Sequence, residues 1–314
     1  MIRFLFLLLF SASALAQQYP MKPVKVYLHF PAGGSTDVVT RILSNALGEA
    51  MGQPFVVENK LGADGAIAAD AVIKSPADGY TLFVATNTAM MQVPLMKKDP
   101  PYDPVTAFTP ISLVGRYTFV LVVSPSLGVK TMKELIAYAK KNPGKINFAS
   151  YSSASQLAYA QIVKTADVDM VRIPYKGEAP SVTDLLGGTI HAVFATPTVT
   201  LSHIRDGKLN ALAVTTPTRS PVLPEVPTTV EAGMPPIKVE FFAAMFGPAK
   251  MPPEIAHRIS KELSSIIARP QIRELVDKQG FALAASTPEE LGTFVKQQLV
   301  AWKQGFEDAG IKPE

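Results

Sequence analysis

Residues 24–43, VKVYLHFPAGGSTDVVTRIL, constrain the fold more than any other stretch of the chain. Val24, Val26 and Leu28 alternate with polar or aromatic residues, which predicts a strand with one well-buried face. Pro31 ends that strand, and Gly33-Gly34 permits a tight turn without a Cβ penalty. Ser35, Thr36 or Asp37 can then act as N-cap, with Val38, Val39, Ile42, Leu43, Ala46 and Leu47 following at helical spacing. A strand, a glycine turn and a capped helix aim free backbone N–H groups at one point, an arrangement suited to a carboxylate or phosphate. Gly-Gly and Ser/Thr at a βα turn also serve capping alone, so the stretch by itself leaves both roles open.

The chain opens on Met1-Ile2-Arg3, continues with an apolar run over 4–10, and reaches Ala14-Leu15-Ala16. This reads as a secretory signal peptide over 1–16, cut after Ala16, and its apolar part is shorter than the roughly 20 residues that span a bilayer. The expected mature protein is exported to the periplasm. It holds no cysteine, so disulfides do not shape it. Loss of Arg3 lowers the formal charge from +4 to +3. That mild excess suits an anionic ligand, and without a basic stripe or aromatic platform nucleic-acid binding finds no support.

Strand signals recur at 54–58 and 80–85, separated by a helical stretch over 66–74. Strand and helix alternating at this spacing predict parallel βαβ units whose strand ends open on one edge, near Gly33, Gly62 and Asn87. A second such run begins near residue 120, with a strand over 118–123 and helices over 131–140, 156–165 and 179–186. A short strand over 146–149 feeds its serine-rich turn, Ser150 to Ser155. Another apolar β-like run covers 240–248, and helices over 253–268, 270–279 and 288–305 follow, each beginning at or near a proline.

The sequence carries no G-x-S-x-G elbow, no phosphate loop ending in Gly-Lys-Ser/Thr and no G-x-G-x-x-G. The four histidines are scattered, so no metal site is expected and catalysis is the weaker class. His29 is read as a packing residue. What remains is a set of hydroxyl and amide residues at βα turns, which bind without supplying a strong base or nucleophile.

Ordered motifs then carry a family resemblance. FPAGGSTD at 30–37, GQPFVVENK at 52–60, PADGYTL at 76–82, YDP at 102–104, IPYKG at 173–177, DLLGG at 184–188 and LPEVPT at 223–228 stand in sequence. Together they resemble the Bug-type extracytoplasmic solute receptors of tripartite tricarboxylate transporters, over 19–312. The resemblance implies an α/β, two-lobed periplasmic binding protein of type II, with mixed sheets, flanking helices and two crossover strands near 117–123 and 239–246. One lobe would take 20–117 with 247–314 and the other 118–238, with 239–246 as the return crossover. It further implies a monomer without cofactor that passes a small organic carboxylate to a two-component membrane permease.

The resemblance points to the turn at Gly33 to Asp37 and the serine-rich turn as the holders of that carboxylate. The candidate ligand-binding set is Phe30, Ala32, Gly33, Gly34, Ser35, Thr36, Asp37, Asn87, Thr88, Tyr151, Ser152, Ser153, Ser155, Tyr175, Ala195 and Thr196. Three departures from the family pattern matter. Tyr151 and serines replace glycines in a shortened second turn, with Gln156 at the place of a histidine. Ala195 stands where an aspartate is usual, which predicts weaker recognition of ligand ammonium groups and apolar room. Phe242 takes the place of a tryptophan on the return crossover. Phe30, Tyr151 and Ala195 therefore favour an aromatic or partly apolar acid. The competing readings are an exported hydrolase using Ser35 or Ser153, and a receptor that signals to a membrane sensor.

Overall fold

The expected strand, turn and helix at the start of the chain are present as β1 (Val24–Leu28) and α1 (Ser35–Met51), followed by β2 (Phe55–Asn59), α2 (Ala66–Ile73) and β3 (Thr81–Thr86). β1 pairs in parallel with both β2 and β3, as right-handed βαβ units require. The computed structural model describes residues 19–236, 239–277 and 279–313. The expected leader and its cleavage after Ala16 lie outside them.

After β3 the chain makes a wide π-helical turn, Thr88–Gln92, and continues into α3 (Val93–Met96) and the long strand β4 (Phe108–Tyr117). It then builds β5 (Val120–Val123), α4 (Met132–Lys141), β6 (Asn147–Ser150), α5 (Ser153–Ala166), β7 (Val171–Pro174) and α6 (Glu178–Leu186). β8 (Ala192–Ala195), α7 (Pro197–Arg205) and β9 (Asn210–Val214) follow. The last part comprises β10 (Phe242–Pro248), α8 (Pro253–Ile267), α9 (Pro270–Asp277), β11 (Phe281–Leu283) and α10 (Pro288–Ala309).

These strands form a six-stranded sheet, ordered β11-β4-β10-β3-β1-β2, and a five-stranded sheet, ordered β7-β6-β8-β5-β9. Both are mixed. β10 runs antiparallel to β3 and β4, and β5 runs antiparallel to β8 and β9. The chain leaves the first sheet between Tyr117 and Val120 and rejoins it at Phe242. The fold is a two-lobed α/β architecture with helices flanking each sheet.

β4 is a strand its sequence hides, because Pro110 and Gly115 both argue against an interior strand. The ladder accommodates them by register shifts against β10, between Ala243 and Ala244 and between Met245 and Phe246. α1 begins differently from the expectation that Ser35, Thr36 or Asp37 caps it. Gly34 is the N-cap and carries no side-chain hydrogen bond, because Ser35, Thr36 and Asp37 already lie inside the helix. Gly33 has φ +88, a left-handed conformation that glycine adopts without penalty.

α10 spans the two lobes, touching β4 of the first and α5 of the second. Gly305 permits this close approach, since a Cβ there would lie 3.1 Å from Val239 and 3.7 Å from Leu157. Trp302 on the same helix is fully buried against Phe241 and Phe306, and its indole N–H donates to Glu240 O at 3.3 Å. Replacing Trp302 by Ala removes both the packing and the donor, and should cost about 3–5 kcal/mol of stability, measured by denaturant unfolding.

Candidate functional site

A narrow cavity lies between the sheets. It collects the residues just beyond the carboxyl ends of β1, β3, β6 and β8, the edge on which ligands of open α/β sheets sit. Phe30, Pro31, Gly34, Ser35 and Thr36 come from the β1–α1 turn, and Thr86, Asn87 and Thr88 from the end of β3. Tyr117 and Phe119 flank the passage between the lobes. Tyr151, Ser152, Ala154, Glu178 and Thr196 close the cavity from the second lobe.

The β1–α1 turn is braced from behind. Asp37 accepts the Gly33 N–H at 3.1 Å and the Arg41 guanidinium at 3.0 Å, while Asn59 Nδ2 donates to Phe30 O at 2.8 Å and to Asp37 at 3.0 Å. Burial pushes the Asp37 pKa up, but the hydrogen bonds from Arg41, Asn59 and Gly33 outweigh it and hold the carboxyl below its usual value. Its charge thus shapes the turn and stays off the cavity wall. Thr36 Oγ1 and the Tyr117 hydroxyl lie 2.6 Å apart on that wall.

Hydrogen bonds cross the cleft at several points. Ser153 N–H donates to Thr88 Oγ1 at 3.2 Å, and its hydroxyl meets Asn87 Nδ2. Thr198 Oγ1 lies 3.0 Å from Ser35 Oγ and 2.9 Å from Gln279 O. Gly177 lies against Pro31 so closely that a Cβ would sit 2.3 Å from its ring. The glycine of the IPYKG motif is therefore where the lobes touch.

The group at the centre is Glu178, which sequence reasoning did not single out. Its carboxylate is buried and accepts the Ser35 N–H at 3.1 Å, the Tyr151 hydroxyl at 3.1 Å and the Thr196 N–H. Burial raises its pKa, and these hydrogen bonds offset that only in part. Burial, and next the neighbouring Glu178 charge, keep the Tyr151 hydroxyl protonated far above neutral pH. In sequence Glu178 resembles an ordinary acid in the first turn of a helix, and nothing nearby signals a partner 143 residues away.

Of the expected set, Phe30, Gly34, Ser35, Thr36, Asn87, Thr88, Tyr151, Ser152 and Thr196 line the cavity. Ala32 and Gly33 shape the turn beside Asp37. Ser153 is spent on the cross-cleft bonds, and Ser155 caps α5 in a reciprocal box with Ser152. Tyr175 donates to Asp184 at 2.5 Å and faces a separate groove. Ala195 is buried in β8. It does not line the cavity, and instead of the apolar room expected there the Glu178 carboxylate accepts the N–H of the next residue, Thr196. Pro31, Thr86, Tyr117, Phe119, Ala154 and Glu178 join the wall without having been expected.

His29 has the expected packing role. It is buried, and the Thr86 N–H donates to its Nε2 at 3.4 Å. Ser35 and Ser153 both hydrogen-bond across the cleft to threonine or asparagine side chains.

Two lobes around a polar and aromatic cavity define a solute-binding protein. Residues 39–311 match the family described as tripartite tricarboxylate transporter family receptor, and the chain belongs to that family. It is 35% identical over 307 residues to BugT of Bordetella pertussis, covering 96% of this chain and 94% of that protein. The solved periplasmic binding protein BugD superposes with a TM-score of 0.89 at 34% identity, covering 94% of this chain and all of the other. An R. palustris protein solved with adipate superposes with a TM-score of 0.90 at 29% identity, at the same coverage. The chain is accordingly a periplasmic solute-binding receptor and not an enzyme, which removes the serine hydrolase reading.

Burial lowers the His29 pKa from 6.5 to about 3, so the folded protein resists a proton that the unfolded chain accepts. The stability tied to neutral His29 is complete above pH 6.5 and drains as the pH falls toward 3, at up to ~1.4 kcal/mol per unit. A His29→Gln variant should show a shallower loss of stability between pH 7 and 4.5, measured by urea unfolding at each pH.

Proposed function

We propose that this receptor captures a small, partly apolar organic acid between its lobes and delivers it to a two-component membrane permease. The leader over 1–16 brings it to the periplasm. The lobes are 20–117 with 247–314, and 118–238, joined on the return by 239–246. The acid sits at the start of α1, and closure brings Tyr151, Ser152 and Thr196 over it. Ligands carried by relatives support the class: adipate in the R. palustris protein, and malate in MatC from Rhodopseudomonas palustris, which is 27% identical with a TM-score of 0.84.

The observation that carries the reading is the α1 start itself. Its glycine N-cap supplies no side-chain acceptor, its first-turn N–H groups lack intrahelical partners, and Ser35 N–H donates to a carboxylate, that of Glu178. The helix end gives an anion only about 0.3–2 kcal/mol. Micromolar capture needs about 8 kcal/mol, so burial on closure supplies most of it. The rings of Phe30, Tyr117, Phe119 and Tyr151 provide the apolar surface for that burial.

A thermal-shift screen with adipate, malate, benzoate and other mono-, di- and tricarboxylates tests the class. An acid at 100 times its Kd should add ~2.7 kcal/mol of stability. Shifts given by sugars and by no acid overturn the reading. Gly177→Val should keep the fold but hold Pro31 away, leaving a more open molecule by small-angle scattering. Its affinity for the acid that shifts the wild type should fall on the order of tenfold, about 1.4 kcal/mol.

A further inference from the structure

We propose that Glu178 makes this cleft selective for an organic acid that also carries a cationic nitrogen, with the cation held between the Glu178 carboxylate and the surrounding aromatic rings. The inference deepens the proposed function and rests on it. It begins from the charge balance of the cavity. Among the described residues that line it none is lysine or arginine, and Glu178 is the one carboxylate. Arg41, on α1, is tied to Asp37 behind the wall. A plain dicarboxylate would bring two further negative charges to a buried one with no cation to offset them, which opposes binding.

The surroundings of Glu178 point to the same partner. Its oxygens are met by the Ser35 N–H, the Tyr151 hydroxyl and the Thr196 N–H, all neutral donors. Neutral donors hold the carboxylate in place without cancelling its charge, and a buried carboxylate is stabilised most by a cation in contact with it. Phe30, Tyr117, Phe119 and Tyr151 present four aromatic rings to the same space. Ring faces attract a desolvated cation, most visibly a quaternary ammonium. The acid group still has its seat, because α1 leaves the N–H groups of Thr36 and Asp37 without intrahelical partners after Ser35 has turned to Glu178. Opposite ends of one small zwitterion thus match opposite features of one cavity.

Matched probes test this on the full mature chain by titration calorimetry. N-Methylnicotinate is compared with 3-methylbenzoate, its uncharged carbon analogue, and with N-methylpyridinium, which lacks the acid. Trimethylglycine, 3,3-dimethylbutyrate and choline form the aliphatic set. At least one zwitterion should bind the wild type ten times or more tightly than its carbon analogue. Glu178→Gln, which keeps an acceptor and loses the charge, should reduce that ratio to twofold or less at unchanged far-ultraviolet dichroism. The wild-type ratio stands alone should the variant fail to fold. Failure of the wild type to bind either zwitterion, equal binding of the carbon analogues, or a ratio that survives in the variant overturns the proposal. A variant that binds both acids of a pair equally and more tightly than the wild type, without a wild-type preference, shows Glu178 to be a plug and also overturns it. In each of these cases binding of the plain acids leaves the carboxylate receptor standing, whereas binding of only the cations without an acid group overturns both readings.

Discussion

The hydrogen bond from the Ser35 N–H to the Glu178 carboxylate joins α1 of one lobe to α6 of the other. A glycine-capped helix start leaves its donors unsatisfied, and a buried carboxylate needs donors. Each answers the other's requirement, and the cleft closes around that pair. Tyr151 and Thr196 complete the carboxylate's shell, so the lid residues of the second lobe are placed by the same group.

The rest of the interface keeps that contact in register. Pro31 rests on Gly177, with no room for a side chain between them. Ser153 locks onto Asn87 and Thr88, which the turn after β3 presents at the same edge as the β1–α1 turn. Behind the cleft α10 binds both lobes through one face, with Trp302 at the centre of its apolar seam. None of these contacts is strong alone. Their geometry is shared, and moving one lobe disturbs all of them.

Local features were legible because their causes are local. Alternation in β1, the glycine turn and the amphipathic α1 depend on residues within a few positions of one another, and they stand where the sequence puts them. β4 was not legible, because register shifts against β10 excuse its proline and glycine, and those shifts belong to the partner strand. α7 escaped for a related reason, being short and rich in β-branched residues that take helical form only in their tertiary setting.

The same division runs through the site. Sequence alone determined the βα turn, the hydroxyl-rich second turn and the two-lobed class, since each rests on short-range pattern or on ordered motifs. It also directed attention to Ser155, Tyr175 and Asp37, whose side chains the fold uses to accept the N-cap Ser152 N–H, for an Asp184 contact and for a turn brace. Only the tertiary structure decided that Glu178, at the start of α6, supplies the buried charge of the cavity. The physical reason is distance along the chain. A carboxylate at a helix start reads as a solvated end charge until folding brings a second helix start, 143 residues away, against it.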